Sequence, residues 1–145
     1  MKIAPKERVS AWAPAVVWAA VIFFFSTDEF SAAQTKSWIE PLVRYFLPSL
    51  PQPAFEVFHG AVRKLAHVAE YFVFALLIDH GFRRGSTLSP AHAPLAAFAA
   101  AALYSLTDEA HQSLVSRRAT IFDCGFDALG AALGALRARR KAYLG

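Results

Sequence analysis

Apolar residues along the chain collect into four runs, and the ionisable residues between them fall into clusters. The first run, VSAWAPAVVWAAVIFFFS at 9–26, holds 18 residues without a charge. That length meets the lower bound of the roughly 17–25 apolar residues that cross a bilayer as a helix. A second helical stretch, AVRKLAHVAEYFVFALLID at 61–79, is polar on one side in its first half and apolar all round in its second. AHAPLAAFAAAALYSLT at 91–107 predicts a third span, and IFDCGFDALGAALGAL at 121–136 a fourth. Between the first two, SAAQTKSWIEPLVRYFL predicts an amphipathic helix, with Ala33, Trp38, Leu42, Tyr45 and Phe46 available for one face. PSLPQP breaks it. The whole of 27–60 is expected to lie at the outer membrane interface.

Composition supports a membrane reading. Hydrophobic residues make up 56% of the chain and charged residues 18%, against a charged share of about 25% in ordinary soluble domains. Spans two to four are short or interrupted by charge, so hydropathy alone leaves a soluble helical bundle as the competing reading. A signal peptide would begin as the first run does. The length of that run, with no cleavage box beyond a weak SAA before Gln34, favours a retained span. Cys124 is the single cysteine, which excludes an intrachain disulfide and a cysteine-based metal site. It reads as a helix-packing residue.

The placement of charge matters more than its net value of +4. Lys2, Lys6 and Arg8 precede the first span, Arg83 and Arg84 follow the second, and Arg137, Arg139, Arg140 and Lys141 follow the fourth. With four spans these clusters all fall on one side, which the positive-inside rule assigns to the cytoplasm. The expectation is therefore an all-α membrane protein, one domain over residues 1–145, with four transmembrane helices and both termini cytoplasmic.

In that topology the remaining ionisable residues sit in the outer half. Arg63, Lys64, His67 and Glu70 enter span two; Asp108, Glu109, His111 and Gln112 mark the end of span three; Asp123 and Asp127 begin span four. Lys64, His67, Glu70 and Tyr71 share a stripe of about 120° on a helix. Asp123, Asp127, Gly130 and Gly134 recur on one face of span four, and the two glycines form a small-xxx-small pair that admits a close neighbour. Each charge in hydrocarbon costs about 2.5–3.5 kcal/mol, so these groups are expected to face the bundle interior and pair. The letters DEAH at 108–111 do not mark a helicase, because no G-x-x-x-x-G-K-[ST] loop is present to cradle phosphates.

The motifs RKLAHVAEYFVFALL and LYSLTDEAHQSLVSRRATIFDCGFDALGAALGAL together resemble the VanZ-like family of small bacterial membrane proteins. Lys64, His67, Glu70 and Tyr71 match its first element; Asp108, Glu109, His111 and Gln112 its second; Asp123, Asp127, Gly130 and Gly134 its last. Ser26 matches the Ser that usually ends the first span. The family loop usually reads Val-Pro-Gly-Arg, and LVSRR here lacks Pro and Gly. Counting back from Asp123 favours Arg117 as the loop arginine; counting forward from Gln112 favours Arg118. Arg117 is taken. The resemblance implies a multi-pass protein of the bacterial cytoplasmic membrane, in a family whose founding member is associated with teicoplanin resistance.

Three readings of the polar cluster stay open. In the first it performs acid/base chemistry on a membrane lipid or lipid-linked envelope precursor. His67, Glu70, Asp108, Glu109, His111 and Asp123 are then the catalytic candidates, and Lys64, Tyr71, Gln112, Arg117 and Asp127 hold the substrate. In the second it binds an amphiphile or glycopeptide without chemistry. In the third it is an ion-pair network that fixes helix register. No cofactor is expected. A metal held by His67, Glu70 and His111 is disfavoured by the cations Lys64 and Arg117 nearby. His59, His80 and His92 read as interfacial or loop residues, the tryptophans as packing or belt residues. The RARRK tail reads as contacting lipid headgroups rather than nucleic acid.

Overall fold

The structure, a computed structural model, describes residues 3–114 and 121–144, with side chains described over 3–110 and 124–141. Among these residues it is entirely helical. The α-helices are α1 (Pro5–Phe25), α2 (Ala32–Phe46), α3 (Gln52–Gly85), α4 (Ala93–Leu114) and α5 (Ile121–Leu144), with a 3-10 turn at Asp28–Phe30 between α1 and α2.

The expected runs all lie on helices, but α3 starts well before residue 61. The prolines that end α2 also begin α3: Pro51 caps it and Pro53 sits in its first turn, where a missing N–H costs nothing. Residues 52–60 are therefore continuous with the helix that carries the second expected run. At 34 residues, α3 is about 51 Å long, well beyond the roughly 30 Å of a hydrocarbon core. The helix α4 likewise runs past residue 107, so Asp108 and Glu109 lie on its last turns rather than in a loop.

Two glycine-lined seams set the helix spacing. On α5, a Cβ at Gly130 would collide with the backbone carbonyl of Val68, and one at Gly134 would lie 2.5 Å from that of Phe72. The backbones of α3 and α5 therefore touch, and because 130 faces 68 and 134 faces 72 the two helices run parallel. On the other side of α3, Gly81 and Gly85 make room for the Trp12 ring of α1, which also meets Phe82 edge-on at 4.9 Å. Two side-chain bonds tie α1 in place: Trp18 Nε1 donates to the Glu70 carbonyl (3.0 Å) and Tyr104 Oη to the Ala19 carbonyl (2.8 Å). The core between helices is small and apolar, built around Ala15, Ile22, Tyr71, Phe74, Ala75, Ala97, Ala101 and Ala131.

Polarity is distributed inside out. Ser26, His59, Asp79, Ser105, Asp108 and Asp127 are buried, while Val16, Phe24, Leu65, Leu103 and Leu133 are exposed. Exposed apolar side chains of this kind suit contact with lipid. By length and composition alone, one helix among the described residues, Pro5–Phe25, is apolar enough to cross a membrane. On the others Asp79, Asp108 and Asp127 are buried, whereas Lys64 is exposed. The amphipathic α2 presents Trp38, Leu42, Tyr45 and Phe46 outward, the face expected for it. Its Ser31 N-cap accepts from the Gln34 N–H.

Candidate functional site

A cavity of about 230 Å³ opens where the end of α1, the 3-10 turn and α2 meet the middle of α3 and the end of α4. Its wall is largely apolar, from Ile22, Phe25, Phe30, Ile39 and Val62. Into this wall are set Arg63, His67 and Glu70 of α3 and Asp108 of α4. The three α3 residues follow at i, i+4 and i+7, which puts them on one face.

His67 has a partner behind the wall. Its Nδ1 lies 3.0 Å from Oδ1 of Asp127, whose side chain is 0% exposed. The glycine seam makes this reach possible, since Gly130 lies one turn beyond Asp127 and brings α5 against α3. With the Nδ1 proton donated to the carboxylate, Nε2 is the acceptor of the neutral ring. Asp127 then orients the ring and balances the charge of its imidazolium form.

Tyr71 lies deeper, fully buried, with its ring against Phe74. Its hydroxyl is within electrostatic reach of Asp108 and Asp127 and has no hydrogen-bond partner among the described residues.

The rim of the cavity is a polar clasp between α2 and α3. Arg63 Nη1 donates to the Phe30 carbonyl (3.0 Å) and to Thr35 Oγ1 (3.2 Å). Thr35 Oγ1 also lies 3.1 Å from His59 Nε2. His59 is buried and stacks on Phe55 with the ring planes 4° apart. Burial, and then the Arg63 cation, hold its pKa below the usual histidine value. Outside the clasp Lys36 pairs with Glu56. His59 is thus a packed core residue rather than a loop residue.

Of the residues expected from sequence, the cavity brings together His67, Glu70 and Asp108, and Asp127 joins them through His67. The Asp127 side chain is fully buried and does not itself line the cavity. Three others lie off the cavity. Lys64 is exposed, with Nζ 4.9 Å from the Phe126 ring on the α5 side; Glu109 is half-buried beside the site; Tyr71 lies beneath it. The side chains of His111, Gln112 and Asp123, and Arg117 altogether, lie outside the described residues. The metal set of His67, Glu70 and His111 falls partly there as well. Among the described residues no three metal-ligating side chains converge.

Arg63 was not singled out from sequence. The signal was present, because 63, 67 and 70 share the i, i+4, i+7 spacing. Among the described residues Arg63 is the cation of the cavity wall.

The chemistry available is specific. A histidine backed by a buried carboxylate can move a proton. A guanidinium and two further acidic side chains line the same space, and an apolar wall suits the hydrocarbon part of a ligand. The family described as VanZ/LLP1 matches residues 11–141. Searches of curated proteins and of solved structures returned no match.

Proposed function

The chain belongs to the VanZ/LLP1 family of membrane proteins, and from that premise we propose that its cavity performs acid/base chemistry on the polar head of an amphiphile of the cell envelope. One observation carries the reading: His67 lines the cavity while its Nδ1 is bonded to the fully buried Asp127. In this reading His67 moves the proton and Asp127 positions it. Arg63 holds an anionic group of the substrate, and Glu70 and Asp108 contact its polar head.

Size supports a headgroup as the ligand. A space of about 230 Å³ is below the roughly 300–1,000 Å³ of pockets that enclose a drug-sized molecule. A glycopeptide antibiotic is larger still, whereas the headgroup of a lipid or lipid-linked precursor fits, with its chain leaving along the apolar wall.

Orientation follows from charge. Arg83, Arg84, Arg137 and Lys141 gather at the far end of α3 and α5, near the Trp12 end of α1. By the positive-inside rule that end is cytoplasmic and the cavity opens outward, in a bacterial cytoplasmic membrane. In a chain with Cys124→Ser, a membrane-impermeant thiol reagent should label Glu29→Cys from outside and leave Arg84→Cys untouched; the reverse pattern overturns the orientation.

A second reading, binding without chemistry, draws on the largely apolar wall. Isosteric variants separate the two. His67→Gln should abolish conversion of an envelope lipid extract by the purified protein while co-purifying lipid stays bound, whereas Glu70→Gln and Asp108→Asn should weaken both. Folded variants with undiminished conversion refute the acid/base reading.

A further inference from the structure

A larger recess, of about 490 Å³, lies at the opposite end from the cavity, between the last turns of α3 and α5. We propose that it binds the phosphodiester headgroup of an anionic phospholipid.

The argument starts from two parallel rows. On α3, Phe72, Leu76, His80 and Arg84 follow one another at i, i+4 steps. On α5, Leu129, Leu133, Arg137 and Lys141 do the same. The glycine seam sets these helices parallel and in contact, with Gly134 against Phe72. Both rows therefore change from apolar to cationic in the same direction. Leu129 and Leu133 are among the exposed large hydrophobics of the surface. Arg84, Arg137 and Lys141 are exposed where the rows end. This is the polarity profile of one phospholipid, with its acyl chain along the leucines and its phosphate among the cations.

Charge within the recess favours an anion. Among the described residues Asp79 is the one carboxylate lining it, and Arg83 Nε engages it at 2.6 Å. Arg84, Arg137 and Lys141 are left as the positive charge facing the opening. Cations in a last helical turn also complement the helix dipole, but that requires neither a shared concavity nor two matched rows. Basic recesses between membrane helices suit anionic headgroups.

The test uses the full chain in nanodiscs of phosphatidylcholine with a minor fraction of phosphatidylglycerol, with retained lipid read by native mass spectrometry. The wild type should retain phosphatidylglycerol in preference to phosphatidylcholine. Arg137→Gln/Lys141→Gln should reduce that retention about tenfold or more. Arg139→Gln/Arg140→Gln removes the same charge outside the recess and should leave it unchanged. All these positions are exposed, and an unaltered melting temperature verifies folding. No preference in the wild type, or equal loss in both pairs, overturns the site. If inorganic phosphate displaces the lipid and binds as well in detergent alone, the ligand is a free anion and the lipid assignment fails.

Discussion

The two ends of the bundle use the same residue types in opposite ways. At the cavity end the ionisable groups are drawn inward: Asp108 and Asp127 are buried and His67 reaches one of them through the wall. At the other end Asp79 is buried and held by Arg83, but the remaining cations Arg84, Arg137 and Lys141 stand in the open. Both ends are built on glycines, with a different tolerance. Gly130 meets backbone, which cannot yield, whereas Gly81 and Gly85 meet the ring of Trp12, a side chain. Buried charge needs a fixed scaffold to pair; exposed charge needs only to be on the correct side. The cavity end should therefore be the fragile one.

The largest expected loss is at Asp127. Asp127→Ala strips the hydrogen-bonded carboxylate from His67 and should cost about 1.5–3 kcal/mol, the usual worth of a hydrogen bond to a charged group. Thermal unfolding in detergent measures it. Next is Gly130→Ala, which forces a methyl group against the Val68 carbonyl and should cost about 1–3 kcal/mol as overpacking. Gly81→Ala should cost less, since the Trp12 ring can move. Gly125→Ala is the control, with nothing within 4 Å of its added Cβ. An equal loss at 81 and 130 would erase the contrast between the seams.

A smaller effect is expected from pH at the clasp. His59 has its pKa lowered by burial and by Arg63, against an opposing pull from Glu56. The fold favours its neutral form, so its contribution is complete above the unfolded-state value of about 6.5. That contribution is lost as pH falls below this value toward the lower folded one. Melting temperature followed across about pH 5 to 8 should drop on the acid side in the wild type, and drop less in His59→Gln. The smallest effect is at the basic end, where Arg84→Gln should leave the melting temperature unchanged.

Much of this was legible in the sequence, and the gaps have physical causes. Four helical runs follow from apolar stretches, and the intimate α3–α5 contact follows from Gly130 and Gly134. The length of α3 was not evident, because prolines between helices read as breaks, and only the structure shows Pro51 and Pro53 starting the next helix. The polar stripe on α3 was visible, but not that it divides. His67 sits at the division, with Arg63 and Glu70 turned to the cavity and Lys64 to α5. Adjacent cations at 63 and 64 cannot be told apart by periodicity until the neighbouring helices are placed. His59 was misjudged for a related reason: its burial is supplied by α2 folding back, a contact between segments that no local pattern records.

The central claim is that His67 and Asp127 act as one unit on a ligand in the cavity. A double-mutant cycle tests it most directly, measuring conversion of an envelope lipid extract by the wild type, His67→Gln, Asp127→Asn and the double variant, each shown to be folded. Residues that work as a unit are strongly non-additive. The account predicts a loss of about 10²–10⁴-fold in His67→Gln, with no further loss when Asp127→Asn is added. Losses that multiply independently, or a folded His67→Gln that converts the extract as the wild type does, would contradict it.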